Sequence, residues 1–448
     1  MRTNIVFVSL WFSLAAGQLH PNKPAEYQRL PSLREAAYIQ DAWKNERVAR
    51  IPSLLKKYDI DAWLMAQREH AEDPIWWSIK NSTDFDVHRR TVVLFHTNTS
   101  SLNGQPNPMI WIDNTGSVWP ELRNVLEHYD PKRIAINVDR DIAFGAGLHV
   151  GELAVLFEEL GEKWMSRTVN EPMLSVEYVA TRVDSQLPYY RKMQEIIWAL
   201  IEEGFSHEII VPGKTTTEDL EWWFREKMQT LNVTTWSHPR ISVIVEDPTT
   251  PGWKGTKSII QEGDLLHIDF GITAMGLNTD TQHLAYVLRT NGPNPETDAP
   301  ESLKEGLRKS NRMQDVLLGN MQAGLTGNEV LRKSMDQIES EGIEGHFYSH
   351  PIGDWGHDAG AVIGFVNLPA EVPILGELPI LSNTYYSIEL HAYHFIPEMN
   401  QTLKFRQEED AHWVAQTGKW EFVRGRQEKL HLIDARKRGL VPFVVMPG

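Results

Sequence analysis

The sequence predicts a mixed α/β (α+β) chain in two parts, the second built from two similar halves. Three observations carry this. Residues from about 35 to 180 alternate amphipathic helical patterns with short apolar runs bounded by turn residues. From about 185 onward a helical signature occurs twice, as "KMQEII" near 192 and "RMQDVL" near 312, each followed by Gly-x-Thr-x-x-Glu, at Gly213 to Glu218 and Gly324 to Glu329. The two threonines of that motif, Thr215 and Thr326, lie 111 positions apart, a period too long for a solenoid and suited to a pseudo-symmetric pair. Between and after the copies come β-rich segments with carboxylates and histidines in apolar surroundings.

At the start, "MRTNIVFVSLWFSLAAGQLH" has one charge at Arg2, an apolar run from Ile5 to Ala16 and small residues before Gln18. That run is too short to span a bilayer, so residues 1–17 read as a secretory signal peptide cleaved near Gly17-Gln18. Secretion is the expectation, with delivery to a vacuole-like compartment left open, and no membrane partner is expected. Four Asn-x-Ser/Thr sequons, at Asn81, Asn98, Asn232 and Asn400, fit a glycosylating route. The chain has no cysteine, so its stability rests on core packing, for which 448 residues at 41 % hydrophobic content suffice. With 60 acidic against 44 basic residues the formal charge is −16, and no basic run interrupts it, which excludes a phosphate-backbone partner such as nucleic acid. Sixteen tryptophans, with doublets at Trp76-Trp77 and Trp222-Trp223, are expected to pack cores.

The elements follow in order. "RVARIPSLLKKYDIDAWLMA" runs from helix into strand, and "RRTVVLFH", "PMIWID" and "KRIAINVD" continue as strands, giving an α/β domain over 30–182 with no catalytic cluster of its own. "EYVATRVDSQLPYYRKMQ" reads as a hinge ahead of a strong helix. That helix places Met193, Ile196, Ile197, Leu200 and Ile201 on one face, with Gly204 as its C-terminal cap. In "PGKTTTEDLEWWF", Thr215 and Glu218 have capping-box spacing, and Leu220, Trp223 and Phe224 form the apolar stripe of the next helix. In "LLHIDFGITAMGLNTDTQHLAYVL", a hairpin turning at Gly276 sets Asp269 and Asp280 facing one another. Two such carboxylates repel and lose water, which a cation relieves; an exposed structural pair is the alternative. "FYSHPIGDWGHDAG" adds His350 and His357 in a glycine-punctuated loop, and apolar strands carry Glu389 and Glu408, where a glutamate seldom stays unpaired. Four carboxylates with one imidazole balance two divalent cations, which favours a two-metal site.

The order and spacing of these residues resemble the pita-bread metallopeptidase family, in its aminopeptidase P, prolidase and creatinase branch. The resemblance covers 185–448 and implies a creatinase-like N-terminal α/β domain followed by a pseudo-two-fold pita-bread catalytic domain. It further implies that Asp269 holds one metal, that Asp280 and Glu408 bridge both, and that His350 with Glu389 holds the other. His357 matches the histidine that donates a hydrogen bond to substrate. Oxygen-rich ligation suits Mn2+, with Co2+, Fe2+ or Zn2+ as alternatives.

The sequence also departs from the family. Where the resemblance puts a further histidine, Pro251 and Gly252 stand, with His238 as a candidate replacement. After Glu389 comes "LHAYHF" in place of Pro-Gly, which makes His391 a second catalytic candidate because it shares the strand face of Glu389. By the same parity His394 points away and His267 lies beside Asp269. The function these features imply is a secreted, dinuclear-metal exopeptidase acting on small Xaa-Pro peptides, with a homodimer as the family's habit. A creatinase-like amidinohydrolase or other small-molecule hydrolase or lyase, and a catalytically silent relative, are the competing readings.

Overall fold

The computed structural model describes residues 23–437, apart from 85, 99–101, 103, 113–114 and 245–257. The expected signal peptide, Pro251 and Gly252 lie outside the described residues.

The first part is a five-stranded sheet in the order Met109–Ile112, Arg90–His96, Ala62–Arg68, Ile134–Ala135 and Thr168–Val169. Helices including Val118–Tyr129 and Val150–Met165 cover it. The expected alternation is there, although "KRIAINVD" contributes only a two-residue strand. Trp63, Leu64 and Phe95 are fully buried because these strands are packed on both faces.

The second part is a nine-stranded sheet whose central order is Gly345–Phe347, Tyr385–Ile396, Gln401–Val414, Thr281–Val287, Leu265–Phe270 and Arg240–Val243. Two helix pairs cover it, Leu187–Gly204 with Thr217–Thr230 and Glu301–Asn320 with Gly327–Ser340, and they are the two expected copies. The caps fall one residue from where the motif placed the first of them. Thr216, not Thr215, accepts from Asp219 N–H, and Thr326 accepts from Glu329 N–H. The Thr215 hydroxyl instead accepts from Val211 N–H, closing the preceding turn. Gly204 is not a left-handed cap: it is the last helical residue, and a Cβ there would come within 2.3 Å of Phe224 Cζ, so glycine serves close helix packing.

Two further expectations are corrected by burial. The segment read as a hinge holds Arg182, which is buried and ion-paired to Asp354 (2.5 Å) and Asp358 (3.3 Å), so it is a fixed joint. Of the tryptophan doublets, Trp76 is buried, whereas Trp77 and Trp222 are exposed because their helices turn only one face to the core. Among the described residues no helix is long and apolar enough to cross a membrane.

Candidate metal centre

Strand register builds the floor of the site. Asp269 pairs with Gln282, Gln282 with Glu408, and Glu408 with Glu389, so side chains from four neighbouring strands form one row on one face. The hairpin carrying the aspartates turns at Met275 and Gly276, both with positive φ. Asp269 therefore faces Gln282 and not Asp280, a correction with a local cause: beyond the Thr281–Phe270 pair the ladder breaks where Gly271 lies against the Thr279 carbonyl. Asp280 is positioned separately, by its own N–H donating to Asp410 at 3.1 Å.

His350 enters from the short strand His350–Ile352, directly across from Ser387. Its Nδ1–H donates to the Pro351 carbonyl at 2.9 Å, which leaves Nε2 as a bare acceptor. That Nε2 is buried without a hydrogen-bond partner among the described residues, 3.8 Å from Asp280 Oδ2 and 3.6 Å from Glu408 Oε1. Asp280, His350 and Glu408 each offer a donor atom within 4.8 Å of the others. Asp269 and Glu389 flank this trio along the row.

The electrostatics favour a cation. Burial pushes Asp280 and Glu389 well above the usual carboxylate range, and Glu408 adds to both. Burial, then Glu408, raises Asp269 to about 7. So many carboxylates out of water cannot all ionise unaided, and a divalent ion supplies the missing positive charge. The lone acceptor nitrogen of His350, aimed at two carboxylates, is the arrangement such an ion needs.

The histidines divide clearly. The ring of His357 lies 4.7 Å from that of His350 and 5.2 Å from that of Trp236. Its pKa is held down to about 4, first by the protein covering part of the ring and then by His350. His391 is buried one pleat beyond Glu389, with Nδ1 3.2 Å from the Tyr348 hydroxyl. His267 is buried beside Asp269, as parity required. His394 lies near Phe405 on the other face. His238 is on the surface, where its contacts are Trp222, Glu221 and Arg225.

Sequence reasoning missed two residues. Gln282 joins the row, and its strand position two residues after Asp280 is the signal that could have found it. Asp354, in the loop between the two histidines, bonds Arg47 (2.6 Å) and Ser78 (2.6 Å) from the first part of the chain. Nothing local announces that contact.

Among solved structures, the X-Pro aminopeptidase of Thermotoga maritima superposes with a TM-score of 0.60 at 16 % identity, covering 85 % of this chain and 99 % of that one. The Xaa-Pro dipeptidase of Bacillus anthracis gives 0.57 at 17 %, covering 87 % and 99 %. The dipeptidase of Pyrococcus horikoshii gives 0.57 at 16 %, covering 86 % and 99 %. At such identities these likenesses establish the fold, and no curated protein matches the sequence. The sequence profile of metallopeptidase family M24 matches residues 189–409, the segment that contains all five candidate ligands. With the pita-bread fold and that match together, residues 189–409 form a domain of metallopeptidase family M24, a family of hydrolases.

Proposed function

We propose that this chain is a secreted exopeptidase that releases the first residue of short peptides ahead of proline, with two divalent ions, manganese by preference, at Asp269, Asp280, His350, Glu389 and Glu408. The observation that carries the reading is the convergence of Asp280, His350 and Glu408 around a buried, unpartnered imidazole nitrogen. Proline preference is supported by the names of the structural neighbours, each an X-Pro peptidase or a dipeptidase. Secretion rests on the leader, and the four sequon asparagines, all exposed, suit glycosylation. A homodimer rests on family habit alone.

Bound divalent ions supply Lewis-acid polarisation of the scissile carbonyl and lower the pKa of water. The chain's own groups do the rest. The Pro351 carbonyl keeps the His350 ring in one tautomer and orientation. His357, neutral at pH 7, has an N–H to donate to the carbonyl oxygen as negative charge builds on it.

A small-molecule substrate is the second reading, favoured by the bulk of His391 where the family resemblance puts glycine. Both are tested by loading the chain from Gln18 onward with manganese and following Xaa-Pro, Xaa-Pro-Yaa and Xaa-Ala-Yaa peptides by mass spectrometry, with Asp280→Asn as control. Release of the first residue only ahead of proline, lost in the control, is the expected result. Survival of every peptide by a metal-loaded protein would favour the small-molecule reading.

A further inference from the structure

We propose that Gln282 is a positioning residue that gates a second metal position, its amide holding Glu389 and one oxygen of Glu408 until a second ion displaces it. The inference rests on the metal reading above and deepens it.

Gln282 is almost fully buried in the middle of the row. Its Nε2 donates to Glu389 Oε1 at 2.5 Å and to Glu408 Oε2 at 2.7 Å, so both amide hydrogens are engaged. Its Oε1 lies 2.7 Å from Nε2 of the buried His267. A carbonyl oxygen only accepts, so His267 donates from Nε2, leaving Nδ1 toward the Ser242 hydroxyl at 3.4 Å. Flipping the amide would set its oxygen against two carboxylates, which locks the orientation seen.

The result is an asymmetric centre. On one side His350 Nε2 is free, and Asp280 and Glu408 Oε1 lie near it. The Ser387 hydroxyl also donates to Glu408 Oε1, which steadies that oxygen. A first ion there has no Gln282 bond to break. On the other side, Glu389 Oε1 and Glu408 Oε2 already accept amide hydrogens, and Asp269 faces the same glutamine across the strands. A second ion drawn to those oxygens must displace an amide that is buried, bonded through both its hydrogens and backed by His267. The chain therefore takes up one ion tightly and the other weakly, with Gln282 setting the gap.

The test is manganese titration of the metal-free chain by calorimetry, with the number of bound ions read by native mass spectrometry. Wild type is expected to show two steps whose Kd values differ by at least about ten-fold, the weight of one intramolecular hydrogen bond given up when the second ion enters. Gln282→Met keeps the volume and removes the amide, and should narrow the gap by about ten-fold while leaving the first step in place, because no amide hydrogen bond is then broken. His267→Phe leaves Gln282 present but unlocked and should narrow it less; near-ultraviolet circular dichroism checks that both variants fold. Two equal steps in wild type, or an unchanged gap in a folded Gln282→Met protein, would overturn the gate while leaving the metal site standing. Weakening of both steps in that variant would make Gln282 a support for the ligands and likewise overturn it. Wild type that binds no manganese would remove the metal reading itself.

Discussion

At the scale of single residues, the candidate site depends on which atoms are left free. Pro351 takes the proton-bearing side of His350 and leaves the other nitrogen bare, so His350→Ala should abolish manganese uptake without unfolding the chain, as read by calorimetry. His357 differs, because it touches the ring of His350 but is not grouped with the converging donors. His357→Ala is expected to lower kcat by about 10²-fold, the usual loss for one donor to a developing oxyanion, with manganese affinity unchanged. A matching fall in affinity would make it a ligand instead. Since its pKa lies near 4, wild-type activity should not acquire a limb from this histidine between pH 8 and 5.

At the scale of elements, the loop between the two histidines is tied to the other half of the chain. Asp354 receives Arg47 and Arg182, both buried, and the Ser78 hydroxyl. Burial works to raise its pKa, but Arg182 and Arg47 hold it down to about 2. Asp354→Asn leaves the buried Arg47 guanidinium without its carboxylate and Arg182 with Asp358 alone, which costs about 3–5 kcal/mol when a buried pair is broken. Calorimetric unfolding should show that loss, and kcat should fall with it because His357 stands three residues further along the same loop. The twin caps offer an internal check on the pseudo-symmetry. Thr216→Ala and Thr326→Ala should each cost about 1 kcal/mol, since each removes the same side-chain acceptor from a helix N-terminus.

At the scale of the whole molecule, pH links folding to metal. Asp269 rises from 3.8 to about 7 in the metal-free fold, chiefly through burial and then through Glu408. A raised acid pKa contributes stability that is full below 3.8 and is lost as pH climbs through about 7, because the unfolded chain gives up the proton first. A bound divalent ion offsets that loss by favouring the carboxylate. The rise in Tm on adding manganese should therefore grow from pH 5.5 to 8, which thermal scans across that range with and without the ion would measure. A constant or shrinking increment would mean that these carboxylates are not where the ion binds.

The sequence by itself determined the α/β class, the two similar helix pairs, the strands that carry Asp269, Glu389 and Glu408, and the face shared by Glu389 and His391. These are legible because hydrophobic period, capping residues and strand alternation act over a few neighbouring positions. Tertiary structure decided what faces what. Whether Asp269 meets Asp280 or Gln282 is a matter of register, set by a ladder break at Gly271 that hydrophobic period does not encode. The Arg182 joint that reads as a hinge and the reach of Arg47 to Asp354 likewise depend on partners far along the chain. Local chemistry selected the residues of the site, and long-range pairing, which no short window of sequence contains, selected the atoms that converge.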